Sequence, residues 1–350
     1  MTPPLSARLD GLDVARFAAF VGMVIVNFRI AMGAEETASG PLAVLVSTLE
    51  GRAAATFVVL AGIGLGLGAR REGSHATLPV TLRRAVFLLA VGLLNTLIFD
   101  ADILHYYAVY FFLAVFCVAA PNRGLIGLIA AVNVIFMVML ATLTYDAGWD
   151  WTTYTYADFW TPLGFVRNLF FNGWHPVFPW FGFLLFGILL SRLRLSDARI
   201  QRRLIVLGAA ALALAETVSA GLRVWAAGDP ALLEVITTGP IPPTPLYTVA
   251  GTGAAALVIG LCLLGAPRLA RLGVVAVLAP AGRQTLTLYI AHILIGMGTL
   301  EALGLLGGQP LPVALGAAAA FCALSVVYAL AWSRWIGRGP VEAVMRRLAG

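Results

Sequence analysis

Few side chains in this sequence could do chemistry, and nearly all of them lie in apolar surroundings. Of the four histidines, His105 closes the run FDADILH, and Asp102 stands three residues before it. On a helix the two share a face, where the carboxylate could orient the imidazole as a general base. The competing reading is a capping acid beside an interfacial histidine. His175 sits in NGWHPVFPW, where Pro176 and Pro179 prevent a regular helical start and free carbonyls near the ring. Irregular backbone at membrane depth is tolerated where it lines protein or a wet cavity, so His175 is the leading candidate base and His105 the next. His292, in LYIAHILIG, is a lone imidazole in an apolar run and reads as an interhelical hydrogen-bond partner. His75, in REGSHATLP, reads as solvated.

A second group of polar residues opens the first apolar segment. Asp13 and Arg16 lead into FAAFVGMVIVNF, which carries Asn27 three turns further on. Asp13 and Arg16 are spaced either for a structural ion pair or for contact with a substrate. Glu50 and Arg52 repeat the pattern at the next apolar segment, and Glu216 is expected to be unpaired. Ionisable groups are costly in hydrocarbon and mark cavities or partners, so together these residues imply a polar cavity within a membrane domain.

The elements that must hold them are membrane helices. The chain has 350 residues, 60% hydrophobic and 11% charged, with a mean hydropathy of +0.92, more apolar surface than one soluble core can hide. Ten segments approach the roughly 20 apolar residues that cross a bilayer: Leu12 to Met32, Ala53 to Ala69, Leu82 to Phe99, Ile103 to Ala120, Leu125 to Leu143, His175 to Leu190, Leu204 to Trp225, Leu246 to Leu264, Thr285 to Leu303 and Leu311 to Trp332. The expected fold is all-α, a polytopic transmembrane helical bundle forming a single domain over residues 1–350. The second and sixth segments are short, so both are expected to be tilted, broken or extended by interfacial turns, which leaves the count open by one. The opening MTPPLSARLDG lacks the features of a cleaved signal peptide, so the first span is expected to be retained.

All 23 basic residues are arginine. They cluster at Arg70 to Arg84, Arg123, Arg192 to Arg203, Arg268 to Arg283 and Arg334 to Arg347, which ten crossings put on the side of both termini. The positive-inside rule makes that side cytoplasmic. Acids including Glu35, Glu36, Asp100, Asp146, Asp150, Asp158, Asp229 and Glu234 fall on the other. The pI of 9.6 is therefore topological, and no nucleic-acid partner is expected. Cys117, Cys262 and Cys322 read as small buried hydrophobes, without metal-ligand spacing. The lysine-free, Ala- and Gly-rich composition points to a GC-rich bacterial source and a plasma-membrane location.

The outer segment Tyr145 to Trp174 is dense in Trp and Tyr. It reads as an interfacial lid or, with Asp158, as the mouth of a substrate cavity. GPIPPTP, ending at Pro245, reads as a stiff linker, and Leu272 to Ala281 as a re-entrant or surface helix. Gly62, Gly64, Gly66 and Gly68 resemble a phosphate loop only on paper, and their spacing suits close helix packing.

LDVARFAAFVGMVIVNF resembles the LDxLRGxAxxGxxxVN opening of the YeiB-like membrane family and of its relative heparan-α-glucosaminide N-acetyltransferase. EGRAAATFVVLAGIGLGL, DILHYYAVYFFLA, PLYTVAGTGAAALVIGLCLL, PAGRQTLTLYIAH and the ending GRGPVEAVMRRL resemble further family elements, in the family's order. The resemblance implies a transmembrane acyltransferase that takes an acyl group, acetyl foremost, from cytoplasmic acyl-CoA (acetyl-CoA) and passes it to an acceptor hydroxyl or amine. It matches Asn27 to an active-site asparagine, here proposed as an oxyanion donor, and Arg16 to the arginine of the RG element, with Phe17 replacing the glycine. The relative's catalytic histidine in the first outer loop has no counterpart in AMGAEETASG, so the base falls to His175 or His105, with Asp102 in support. Either imidazole could also carry the acyl group itself.

On this reading Asp13, Arg16, Glu50, Arg52 and Asp158 meet the substrate, while Arg70, Arg71, Arg83, Arg84 or Arg283 meet the CoA phosphates, since guanidinium suits phosphate. No metal is expected. Expected partners are membrane lipids and a small-molecule or glycan acceptor. Dimers are common among such relatives, so a homodimer is the oligomer the resemblance suggests. The alternatives are a transporter or flippase of a small amphiphile and a non-catalytic scaffold.

Overall fold

The structure, a computed structural model, describes residues 9–34 and 40–350. Glu35, Glu36 and the loop segment in which a first-loop histidine was sought lie largely outside the described residues. The fold is helical, with one two-residue-per-strand hairpin. Among the described residues, eight helical runs are long and apolar enough to span a membrane. They are α1 (Asp10–Ala31), α2 with α3 (Gly40–Ser47 and Arg52–Glu72), α4 (Ser74–Asn95), α6 (Asn122–Thr142), α9 (Ala198–Trp225), α11 (Pro245–Arg271), α13 with α14 (Thr285–Ala291 and Gly298–Ala302) and α15 (Leu311–Trp335). A ninth is a broken pair bent by 50°, Pro162–Asn172 and Val177–Ser191 (α7 with its following turn, and α8).

The expected ten therefore need two adjustments. The sixth span is broken where its prolines sit, with Phe178 off helical geometry at ψ 119°. The fourth is α5 (Leu104–Cys117), whose 14 residues rise only about 21 Å. Turn geometry after Cys117 and then Pro121 stop it before Ala120. The remaining helices are short: α10 (Pro230–Val235), α12 (Val274–Gly282) and α16 (Pro340–Ala349).

The chain divides into two compact units. One comprises Met1–Phe57, Leu193–Ala209 and Ala255–Ala343. In it α1 packs against α12, α15 and the span that begins with α13. Phe17, Phe20, Val24 and Phe28 interdigitate with Ala314, Ala318 and Cys322. Close approach is purchased with glycine: a Cβ on Gly11 would stand 2.7 Å from Leu263 Cα, and one on Gly282 would strike the Asp13 carbonyl. The short helix expected at Leu272 to Ala281 is α12, started by left-handed Gly273 (φ +75°) and partly buried against α1 and α15.

The other unit comprises Val58–Arg192, Ala210–Ala254 and Val344–Gly350. Its pairs are α4 with α5, α6 with α8, and α5 with α8. Gly62 crosses Gly187 so tightly that a Cβ on either would hit the backbone carbonyl of Leu184 or Val59, and Gly66 faces Ser191. Gly62 and Gly66 lie within helix α3 and Gly187 within α8, and all three serve packing, whereas Gly68 has open space around it.

The aromatic segment Tyr145 to Trp174 is folded on itself. Strands β1 (Trp149–Asp150) and β2 (Thr155–Tyr156) pair antiparallel. Fully buried Asn172 ties the segment together. Its amide nitrogen donates to the carbonyls of Tyr145 and Ala147, its side-chain oxygen accepts from Tyr156 Oη at 2.7 Å, and its backbone carbonyl accepts from Trp149 Nε1 at 2.6 Å.

Candidate functional site

Asp102 and His105 form a buried dyad at the start of α5, with 0% and 1% of their surface exposed. The Asp102 carboxylate accepts from the Leu104 amide at 2.7 Å, the His105 amide at 3.2 Å and Asn95 Nδ2 at 2.7 Å. It also lies 3.2 Å from His105 Nδ1. One carboxylate thus accepts from the opening amides of the helix and also lies against the ring, which is buried rather than interfacial. With the carboxylate ionised and the ring neutral, Nδ1 carries the hydrogen and Nε2 offers its lone pair. Nε2 is buried and has no hydrogen-bond partner among the described residues. Gly92 makes room for the dyad, since a Cβ there would meet the His105 backbone.

His175 lies in the same unit and in the same aromatic cluster. The Tyr106 ring stands 3.9 Å from His105 and 5.8 Å from His175, centroid to centroid, and His175 meets Trp180 edge-on at 4.6 Å. The His175 carbonyl, freed by Pro176 and Pro179, accepts from Tyr110 Oη, and Tyr106 Oη donates to Asn168. Among the described residues His175 Nδ1, Trp180 Nε1 and Thr248 Oγ1 are also buried without a partner. An unpaired buried polar atom costs about 1–3 kcal/mol, so such a group is what a polar ligand or water would satisfy.

Asn27 belongs to the other unit. Its Nδ2 lies 3.0 Å from His292 Nε2, the interhelical contact expected of that histidine. Asp13, 2% exposed, pairs with Arg16 at 2.5 Å and approaches Arg283 to 4.0 Å, so two proposed binding arginines surround one carboxylate.

Two expectations of pairing are corrected. Glu50 forms its ion pair with Arg29, in the last turn of α1, while Arg52 Nη1 donates to the Thr48 carbonyl at 2.9 Å. Arg29 had no sequence signal beyond its place two residues after Asn27. Glu216 accepts a hydrogen bond from Thr238 Oγ1 at 3.1 Å. Asp158 is clasped by Arg167 at 2.6 and 2.8 Å, with Arg167 Nε also donating to Tyr156 Oη at 2.7 Å. Burial raises the Tyr156 phenol above its ordinary value, with Arg167 pulling the other way.

Of the arginines assigned to phosphate, Arg71, Arg83, Arg84 and Arg283 are exposed, and Arg84 reaches the Gly350 carbonyl at 3.5 Å. Arg70 lines a cavity of about 320 Å³ together with Arg192, Ser74 and Ser191. Both guanidiniums cap helix ends there: Arg70 donates to the Ser191 carbonyl at 2.8 Å, and Arg192 to those of Val118 and Ala120 at 3.0 and 2.6 Å. Among the described residues no group of three or more His, Cys, Asp or Glu could hold a metal.

A family model described as heparan-alpha-glucosaminide N-acetyltransferase, catalytic, matches residues 8–223, and one described as protein of unknown function (DUF418) matches residues 187–350. No curated protein and no solved structure matches significantly. With the first match running over more than half of its length, the chain belongs to the heparan-alpha-glucosaminide N-acetyltransferase catalytic family, as a YeiB-like relative.

Proposed function

We propose that this multi-pass membrane protein is an acyl-CoA-dependent acyltransferase, moving an acyl group, acetyl foremost, from cytoplasmic acyl-CoA to an acceptor hydroxyl or amine at or across the membrane. The observation that carries the reading is the Asp102–His105 dyad, whose Nε2 is buried and has no hydrogen-bond partner among the described residues. In the reaction His105 Nε2 takes the acceptor's proton as the acceptor attacks the thioester carbonyl. The tetrahedral oxyanion then collapses, the C–S bond breaks, and the imidazolium returns its proton to the leaving CoA thiolate. Asp102 keeps the ring in the reactive tautomer and balances its transient charge. His175 is the second candidate in the same cluster. Asn27, in the other unit, is matched to the family's active-site asparagine, and its amide N–H is the kind of donor an acyl oxyanion needs.

Arg70, Arg71, Arg83, Arg84 and Arg283 are assigned to the CoA phosphates. Asp13, Arg16, Glu50, Arg52 and Asp158 are assigned to the acceptor, a small molecule or glycan. The family models each run across both compact units, which supports one acyltransferase domain over residues 1–350. Counting α5 and the bent pair as crossings, the arginine distribution supports cytoplasmic termini. The composition supports a bacterial plasma membrane, and a homodimer is the proposed oligomer.

The test is release of CoA thiol from acetyl-CoA by the detergent-purified protein, with glucosamine as a hydrophilic acceptor. His105→Ala should lower turnover by about 10²- to 10⁴-fold, and Asn27→Ala by about 10²- to 10³-fold. Turnover unchanged in both variants refutes the site. If wild-type protein releases no CoA, the enzyme reading falls to the transporter alternative.

A further inference from the structure

His292 is fully buried, at 0% exposure, and two of its contacts bear on Asn27. Its Nδ1 bonds the Tyr289 carbonyl one turn earlier in the same span, and its Nε2 lies 3.0 Å from Asn27 Nδ2. A carbonyl oxygen cannot donate, so the hydrogen is on Nδ1 and Nε2 of the neutral ring is an acceptor. Asn27 must then turn an N–H toward the ring and its carbonyl oxygen away. The two faces of an asparagine amide differ by a flip that exchanges donor for acceptor, and His292 selects between them.

The backbone around this contact is unusual. Residues His292–Met297 form a π-helical turn between α13 and α14, the wider winding often found at functional sites. The same turn carries Gly296, where a Cβ would come within 2.8 Å of the Phe28 ring. The π-turn thus grips two consecutive residues of α1, Phe28 by close packing and Asn27 by a hydrogen bond.

We propose that His292 is a positioning residue for Asn27, holding the amide so that its second N–H, rather than its carbonyl oxygen, is presented to the acyl oxyanion. The inference rests on the assignment of Asn27 as oxyanion donor. It predicts that removing the acceptor at position 292 damages kcat through Asn27 and only through Asn27.

The experiment measures kcat and KM for acetyl-CoA-dependent CoA release with glucosamine, alongside the melting temperature in the same detergent, for N27A, H292F, H292Q and the N27A/H292F double variant. Losing the amide's orientation while keeping the amide should cost H292F about 10- to 100-fold in kcat, at or below the range of about 10²- to 10³-fold for removing an oxyanion donor outright, with KM changed by less than about twofold. H292Q, whose side-chain oxygen can accept the same N–H, should recover most of that loss. The double variant should be no slower than N27A. Multiplying losses in the double variant, an H292F indistinguishable from wild type while N27A is impaired, or a glutamine that rescues no better than phenylalanine would each overturn the inference. If N27A itself retains wild-type turnover, the oxyanion assignment fails, and the inference falls with it by a separate observation. Should H292F not fold, H292Q against H292N decides, because the shorter asparagine cannot span the gap: equal kcat values overturn the proposal.

Discussion

Asp102→Asn tests the dyad with the least structural damage. Alanine would orphan Asn95 Nδ2 and the amides of Leu104 and His105. At about 1–3 kcal/mol each, that loss approaches the roughly 5–15 kcal/mol that holds a typical protein folded. Asparagine can put its oxygen where Oδ2 accepts from the Leu104 amide, the His105 amide and His105 Nδ1, while its NH₂ faces Asn95, whose amide flips to accept. The cost in stability is then the difference between charge-assisted and neutral hydrogen bonds, about 1–2 kcal/mol. Catalysis loses more. A full positive charge on His105 at 3.2 Å from the carboxylate oxygen is worth about 5 kcal/mol at an effective dielectric of about 20. If half the charge has developed at the transition state, the loss is about 2.6 kcal/mol, or roughly two powers of ten in kcat. Steady-state CoA thiol release reads the rate, and a thermal melt in the same detergent reads the fold. A variant that melts a few degrees lower yet turns over within threefold of wild type refutes the orienting role. So does a D102N/H105A double variant that is a further tenfold slower than H105A.

Arg29→Met should cost about 3 kcal/mol, because the buried guanidinium's removal strands Glu50, whose side chain is one-third exposed; the double variant with Glu50→Gln should melt above Arg29→Met, and a lower melt would contradict the pairing. Gly62→Ala and Gly187→Ala should each destabilise by about 1–3 kcal/mol, whereas Gly68→Ala, with open space around its Cβ, should be neutral or slightly stabilising in the same melt. Burial lifts the Tyr156 phenol above its ordinary value, so the folded segment favours the neutral form: its stability should be full below about pH 10 and be lost as pH rises from there through the raised value of the folded state. Fluorescence of Trp149, Trp151 and Trp174 checks this, and the alkaline transition should weaken in Tyr156→Phe.

What could be read from the sequence was local or periodic. Hydropathy places the spans, the His-Pro-Val-Phe-Pro run foretells the broken one, and the Asp102–His105 spacing foretells a dyad that forms within a single turn. α5 is shorter than its hydropathy implies because Asp102 binds its opening amides and Pro121 follows its end. What could not be read depends on which helices meet. Asn27 and His292 are 265 residues apart, and no periodicity in either segment names the other. Arg29 with Glu50 and Asn172 at the centre of the folded aromatic segment are similar cases, each a polar group whose partner is set by packing. The π-turn at His292 had no local signature at all.

That turn leaves the 285–302 span one residue longer than regular winding requires. Excising a single residue between Ile293 and Met297 should let the segment relax into ordinary α-helix while both flanks keep their angular register. Homologues with such a gap would be expected to fold and insert normally but to lack the widened coil. In this part of the molecule, chain length as well as residue identity would decide whether positions 27 and 292 meet.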